Sequence, residues 1–268
     1  MGAGKQFSKP VMMGLLLGGL SLPLHADLYE DGLIAYASGE HALASSYFSE
    51  AAQGGHAGAE HMLARLFSEG IGVPRDAATA LKWTQKAAKS GIALAQYNLA
   101  EMILNGEVAA ADDAAMYQWY AKSAQGGVVM SYYRMGQLTE QGRGVVKNPA
   151  EAKYLYSVAA AELDVFAQKG DPRSQNTLAS MYETGKGVAQ NYAKAVQWYR
   201  QAANQGFAEA QFNVGRMFAA GNGVDKNAIE AMSWFRRAAQ QGYAKAKNIL
   251  DAKVQENGHG SVAMNNER

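Results

Sequence analysis

Few residues in this chain could do chemistry. Of its five histidines, only His41, His56, His61 and His259 lie beyond the N-terminal segment, and none forms the i, i+4 pair of a helical metal site or a His-Glu-x-x-His run. His56 and His61 are five apart and so face different sides of a helix. There is no cysteine, which removes thiol nucleophiles and soft metal ligands. Asp112 and Asp113 are adjacent carboxylates, but a polar stretch between helices reads as a helix start rather than an acid and base pair. Glycine-rich stretches such as Gly70-Ile71-Gly72-Val73 lack the Lys-Ser/Thr continuation of a phosphate cradle and follow a helix rather than a strand. The sequence therefore predicts no catalytic residue, no metal site and no cofactor. With 25 basic and 24 acidic residues, it has no cationic excess for nucleic acid.

The elements that would position any site are more legible. Of 268 residues, 48% are hydrophobic and 18% charged, enough apolar material for a folded interior. Pentads of the Ala-Ala-x-x-Gly type end at Gly55, Gly91, Gly127, Gly170, Gly206 and Gly242, and all but one of the intervals are 36 residues. Fifteen residues after the first five come Gly70, Gly106, Gly142, Gly185 and Gly221. Twenty-eight residues after them come bulky pairs: Trp83-Thr84, Trp119-Tyr120, Leu155-Tyr156, Trp198-Tyr199 and Trp234-Phe235. A fixed period of this length marks a helical repeat array in which each unit buries its apolar face against its neighbours. Each unit reads as two helices: Ala59, Leu63, Leu66 and Phe67 mark the first, and Ala80, Trp83, Ala87 and Ala88 the second. The fold class is all-α, a right-handed solenoid of about 12 stacked antiparallel helices.

The segments Ala210-Gln-Phe-Asn-Val-Gly-Arg-Met-Phe-Ala-Ala-Gly-Asn-Gly-Val and Glu230-Ala-Met-Ser-Trp-Phe-Arg-Arg-Ala-Ala-Gln-Gln-Gly242 resemble Sel1-like repeats, longer-looped relatives of tetratricopeptide repeats. The likeness runs from about Leu33 to Ala246. The opening segment from Ala35 lacks the glycine-rich loop and is closer to a tetratricopeptide unit, and the third loop, from Asn105, loses its second glycine.

On the first helix of each unit, two positions flanking the apolar core vary freely. One holds His61, Tyr97, Tyr133, Asn176 and Phe212; the other, four residues on and on the same face, holds Arg65, Glu101, Gln137, Ser180 and Arg216. The resemblance implies that these positions line a concave groove that holds a peptide. Ordinary packing of the aromatics between repeats, with a solvated face for the rest, is the alternative reading. A row of aromatics beside mixed charges suits an extended polypeptide better than a small metabolite.

The interval from Gly127 to Gly170 is 43 residues. Seven extra residues turn a helix by about 700°, roughly 20° short of two turns, so the packing face survives. The expectation is one long helix over 151–169, extended by about 10 Å and projecting beyond its neighbours; a loop insertion, with Asp164 and Val165-Phe166 breaking the helix, is the alternative.

At the N-terminus, Lys5 and Lys9 precede an uncharged apolar run from Val11 to Leu24, and Leu24-His25-Ala26 supplies a small residue before Asp27. This is the pattern of a cleavable export signal over 1–26, the run being short for a membrane span of about 20 residues; an uncleaved anchor is the alternative. Losing the segment moves the net charge from +1 to −1. The expected organisation is thus a signal over 1–26, a solenoid over 27–256 ending in a capping helix from Tyr243, and a disordered tail over 257–268. The expected protein is a periplasmic or secreted monomer, a non-catalytic adaptor for a protein partner. The resemblance also extends to bacterial Sel1-like proteins linked to cell-wall or β-lactam compounds, so an envelope hydrolase or β-lactam- or peptidoglycan-binding protein is the alternative. Members of that kind carry paired cysteines in each repeat, absent here.

Overall fold

A computed structural model describes residues 24–108 and 112–253, with backbone alone at 24–26. The expected signal, apart from its last residues, lies outside the described residues, as does the expected tail. Among the described residues there are thirteen helices and no strand. They are α1 (Leu24–Ala37), α2 (His41–Gln53), α3 (Ala57–Glu69), α4 (Ala77–Lys89), α5 (Ala93–Leu104), α6 (Asp113–Gln125) and α7 (Val129–Gln141). There follow α8 (Pro149–Gln168), α9 (Pro172–Thr184), α10 (Tyr192–Asn204), α11 (Ala208–Ala220), α12 (Ala228–Gln240) and α13 (244–253). No described helix is long and apolar enough to cross a membrane. The chain divides into two compact units, Met1–Trp83 and Thr84–Arg268, the boundary falling inside α4.

Short-range chemistry sets the helix ends. Asn148, Asn191 and Asn227 cap α8, α10 and α12, each accepting a hydrogen bond from a backbone N–H in the first turn. Gly70, Gly142, Gly185 and Gly221 end α3, α7, α9 and α11 in the left-handed conformation open to glycine. The loop then closes on the helix it left: the N–H groups of Asp76, Asn148, Asn191 and Asn227 reach the carbonyls of Phe67, Thr139, Tyr182 and Phe218. The third loop departs from this pattern as expected, α5 ending one residue early at a right-handed Asn105. Asp112 caps α6 through the Ala115 N–H, and Asp113 holds Arg143 by two hydrogen bonds of 2.6 and 3.1 Å. The carboxylate pair is a helix start, as expected.

In the first unit, Phe48, Leu63 and Leu66 form a core with small alanines around them. A Cβ on Gly32 would meet the Phe48 ring at 2.6 Å. In the second unit the second members of the bulky pairs, Tyr120, Tyr156, Tyr199 and Phe235, are buried, while Trp119 and Trp198 are only half-buried. Gly136 and Gly215 exist for close approach, since a Cβ there would lie 2.8 and 2.6 Å from the rings of Tyr156 and Phe235. Gln96, Gln175 and Gln211 each donate to a carbonyl near the end of the preceding helix, from Ala88, Ala167 and Ala203.

The long interval is one continuous helix: α8 has 20 residues where α6, α7, α9 and α10 have 13. It does not project. Ala152, Leu155, Tyr156, Ala159, Ala160, Leu163 and Ala167 are buried along its whole length. The extra turns are spent instead on a step in the stacking. The second glycine of a loop ordinarily abuts the first residue of the second helix in the preceding pair: Gly72 meets His41, Gly144 meets Asp113 and Gly223 meets Tyr192. Gly187 meets Tyr156, the eighth residue of α8. The hairpin of α9 and α10 is therefore set about 10 Å along α8 relative to regular stacking. Val165 and Phe166, on the turns left uncovered, are 47% and 43% exposed. The counterparts of Phe166 in other repeats, Ala87, Ser123 and Ala202, are fully buried, whereas those of Val165, such as Lys122 and Gln201, are exposed as it is.

Candidate binding cavity

Five of the ten expected groove residues come together in the second unit. Tyr97 on α5, Tyr133 and Gln137 on α7, and Asn176 and Ser180 on α9 line one cavity of about 610 Å³ that spans the step. Its α5 and α7 side is largely apolar, with Leu94, Tyr97, Val128, Met130 and Tyr133. The far side is more polar, with Arg173, Asn176, Thr177 and Ser180 on α9 and Glu209 at the start of α11, beside Phe207 just before that helix. The tyrosines pack against the second helix of their own pair and also border the cavity. Tyr97 packs on Tyr120 with ring centroids 5.7 Å apart and Tyr133 on Tyr156 at 5.4 Å, yet both rings are only half-buried and keep a face to the cavity. Burial, reinforced by the Glu101 charge, pushes the Tyr97 hydroxyl up to about 12, so it remains a neutral donor at physiological pH.

The other five are elsewhere. Phe212 is 8% exposed, packed between Phe235 and Tyr243 at 5.5 and 5.2 Å, and is core rather than cavity wall. Here the packing alternative is the one observed. Arg216 chelates Glu183 at 3.0 and 3.1 Å. Glu101 is bound by Arg134, Nε at 2.7 Å and Nη2 at 2.8 Å, and accepts from the Tyr120 hydroxyl at 2.6 Å. His61 and Arg65 belong to the first unit, where Arg65 pairs with Glu69 at 3.0 Å and lies over the Tyr36 ring. Burial, with the Arg65 charge added, holds the His61 imidazole below its ordinary value and so neutral. His56 caps α3 through the Ala59 N–H and stacks on Tyr29.

A recurring device holds the cavity walls. A buried tyrosine on a second helix donates to a glutamate on its own first helix, and a cation from the next repeat binds the same carboxylate. The sets are Tyr120, Glu101 and Arg134; Tyr156, Glu140 and Lys186; and Tyr199, Glu183 and Arg216. Burial pushes the hydroxyls of Tyr120 and Tyr199 far above the ordinary tyrosine range, with the glutamates adding to it, and pushes Tyr156 up to about 12. The Lys186 hydrogen bond is the main reason Glu140 is held below the ordinary carboxylate range. Arg134 lines the cavity, but its charge is taken up by Glu101. The sequence reading missed Arg134, and only its place one residue after Tyr133 on a groove-facing helix could have suggested it. Among the described residues no group of three or more histidines and carboxylates is placed to hold a metal ion.

Known proteins show the same architecture. The Sel1 repeat profile matches residues 57–92, 93–128, 129–162, 172–207 and 208–243, leaving α1 and α2 outside it. The chain is similar to a Sel1 repeat protein of Oxalobacter formigenes, with a TM-score of 0.60 and 29% identity over 84% of this chain and 86% of that one. It is also similar to a protective antigen of uropathogenic Escherichia coli that displays an SLR fold, with a TM-score of 0.54 and 32% identity over 83% of this chain and 47% of that one. A curated sel1-like repeat-containing protein of Acanthamoeba polyphaga mimivirus is 47% identical over 49 residues, 18% of this chain and only 9% of that protein's length. Such repeats are typical of non-catalytic protein–protein interaction scaffolds. The helix pairs, their glycine-capped loops and the five matched segments place the chain in the Sel1 repeat family, as an all-α solenoid of helix pairs.

Proposed function

We propose that this protein is a non-catalytic adaptor that holds an extended polypeptide of a partner protein in the cavity spanning α5, α7, α9 and α11. The carrying observation is convergence: Tyr97, Tyr133, Gln137, Asn176 and Ser180, singled out only by their repeat position, share one cavity with an apolar side and a polar side. About 610 Å³ would accommodate a few residues of peptide, with apolar side chains on the tyrosine side and main-chain groups on the polar side. The half-buried tyrosines supply rigid amphipathic area, the kind of surface that anchors interfaces. A binding role fits better than a hydrolytic one because the cavity lining brings no two carboxylates together: Glu209 stands apart from other acids there, and Glu101, behind Arg134, is tied into an ion pair.

Export before Asp27, and hence a periplasmic or secreted site of action as a monomer, belongs to the same proposal and rests on the charged, apolar and small-residue succession of 1–26. Intact mass measurement of the protein from its native cell tests it: a chain starting at Asp27 supports export, and a full-length chain in the cytosol opposes it. For the cavity itself, Leu94 is 48% exposed, so Leu94→Asp changes the apolar wall without touching the core. Pull-down of partner polypeptides with this variant and with Tyr97→Ala/Tyr133→Ala, alongside circular dichroism of the same samples, is the test. Folded variants that lose the partner support the cavity; folded variants that keep it move the site elsewhere.

A further inference from the structure

Within the cavity one polar group is both fixed and unused. Asn176 is 6% exposed, and its side-chain carbonyl accepts from Asn213 Nδ2 at 3.0 Å. Asn213 is fixed in turn, its Oδ1 accepting from Arg216 Nε at 3.3 Å, and Arg216 is chelated by Glu183. This chain orients the Asn176 amide so that its carbonyl is spent and its Nδ2 hydrogens are left over. Among the described residues no acceptor takes them, and Nδ2 is not among the buried polar atoms left without a partner, so it reaches the open cavity that Asn176 lines. A buried amide donor facing open space is matched by a carbonyl.

The charges beside it have a definite balance. Arg134 is neutralised by Glu101, which leaves Arg173 and Glu209 as the unmatched charges of the wall. Neither has a side-chain ion pair among the described residues. Both lie in the first turn of a helix, Arg173 in α9 and Glu209 in α11. There the exposed backbone N–H groups reinforce the cation and offset the carboxylate. Asp171 caps α9 through the Ser174 N–H at 2.7 Å and does not line the cavity. The polar end of the cavity is therefore biased towards anions.

Resting on the polypeptide-binding reading above, we infer that the cavity selects a segment in which a carboxylate lies beside a bulky apolar side chain. The carboxylate pairs with Arg173, a main-chain carbonyl accepts from Asn176 Nδ2, and the apolar side chain seats against Leu94, Met130 and Tyr133. Arg173 is thus the specificity-determining residue, and Asn176 and the tyrosines supply affinity without selecting charge.

The test uses the full chain and immobilised nonapeptides of Ala and Ser carrying one Leu or Phe, with Asp or Glu in one set and Lys or Arg in the other at varied spacing. Binding is read by fluorescence of the labelled protein at 50 and 200 mM salt. The expected result is at least a tenfold preference for the acidic set. Arg173→Glu, an exposed change, should abolish or reverse that preference, and Glu209→Gln should strengthen acidic binding. Asn176→Ala, checked for folding by circular dichroism, should weaken both sets. Equal binding of the two sets, or a basic preference removed by Glu209→Gln, would overturn the inference. If either result came with binding still lost in folded Leu94→Asp, polypeptide binding at the cavity would stand and only its selectivity would fall; binding retained in folded Leu94→Asp would sink the reading beneath it.

Discussion

Removing residues 160–166 would join Ala159 to Ala167 and restore the pentad Ala-Ala-Gln-Lys-Gly170 and a 36-residue interval. The deletion takes out about 700° of helix, so the buried stripe of α8 stays in phase. It also moves the hairpin of α9 and α10 back by about 10 Å, the length of some three residues of extended peptide, relative to α7. Folding should survive. Burial of Leu163, worth roughly 1.5–3 kcal/mol, is lost, but exposed Val165 and Phe166 go with it and the small-residue packing of the other repeats returns. Binding should not survive, because the space that the step opens between Tyr133 and Asn176 would close to the spacing of regular neighbours such as Tyr97 and Tyr133. Losing one anchor of about 2 kcal/mol corresponds to roughly 30-fold in affinity for the acidic peptides described above. Deleting only 160–164 is the control, since about 500° leaves the following hairpins turned by some 140° and should unfold them. Thermal melts followed by circular dichroism, with peptide titrations on the folded variants, read both effects. Full affinity in the seven-residue deletion, or equal stability of the two deletions, would refute the reasoning.

Further outcomes follow from the packing. Gly215→Leu drives a side chain into Phe235, whose ring already lies 2.6 Å from the position of a Cβ, and should cost about 1–3 kcal/mol or more in denaturant unfolding. Tyr199→Ala should cost roughly 3–5 kcal/mol and Trp198→Ala less, because Tyr199 is the deeper of the pair. Glu140 is held below its ordinary 4.5 chiefly by Lys186, so its contribution to stability is present above that value and fades as pH falls through the lower folded one. An acid melt should therefore show a smaller loss over that window in Lys186→Met than in the wild type, and an unchanged loss would remove the pair from the balance.

What the sequence made legible was whatever repeats at fixed spacing: the helix pairs, the glycine caps, and the burial of Tyr120, Tyr156, Tyr199 and Phe235. The seven extra residues of α8 were readable as two turns, but not as a step. That depends on the following hairpin taking its register from Gly170 while the preceding one takes it from Gly142. Contacts between repeats were hidden for the same reason. Arg134 and Glu101, or Asn176 and Asn213, are more than 30 residues apart and nothing in either residue names its partner. Phe212 looked like Tyr97 and Tyr133 because it shares their repeat position, but it belongs to the last repeat, where Tyr243 covers it. Periodicity describes an interior repeat and loses its grip where the array ends.

The central claim is that the cavity between the tyrosine wall and α9 holds a polypeptide. A photoreactive phenylalanine analogue placed at Gln137, inside the cavity, and separately at Tyr154, 66% exposed on α8 and outside it, tests that claim in the native cell. The expected result is a discrete covalent adduct with a partner polypeptide from position 137, absent from position 154 and lost from 137 when Leu94→Asp is added. An adduct from position 154 alone, or one from 137 that persists with Leu94→Asp in a folded protein, would contradict it.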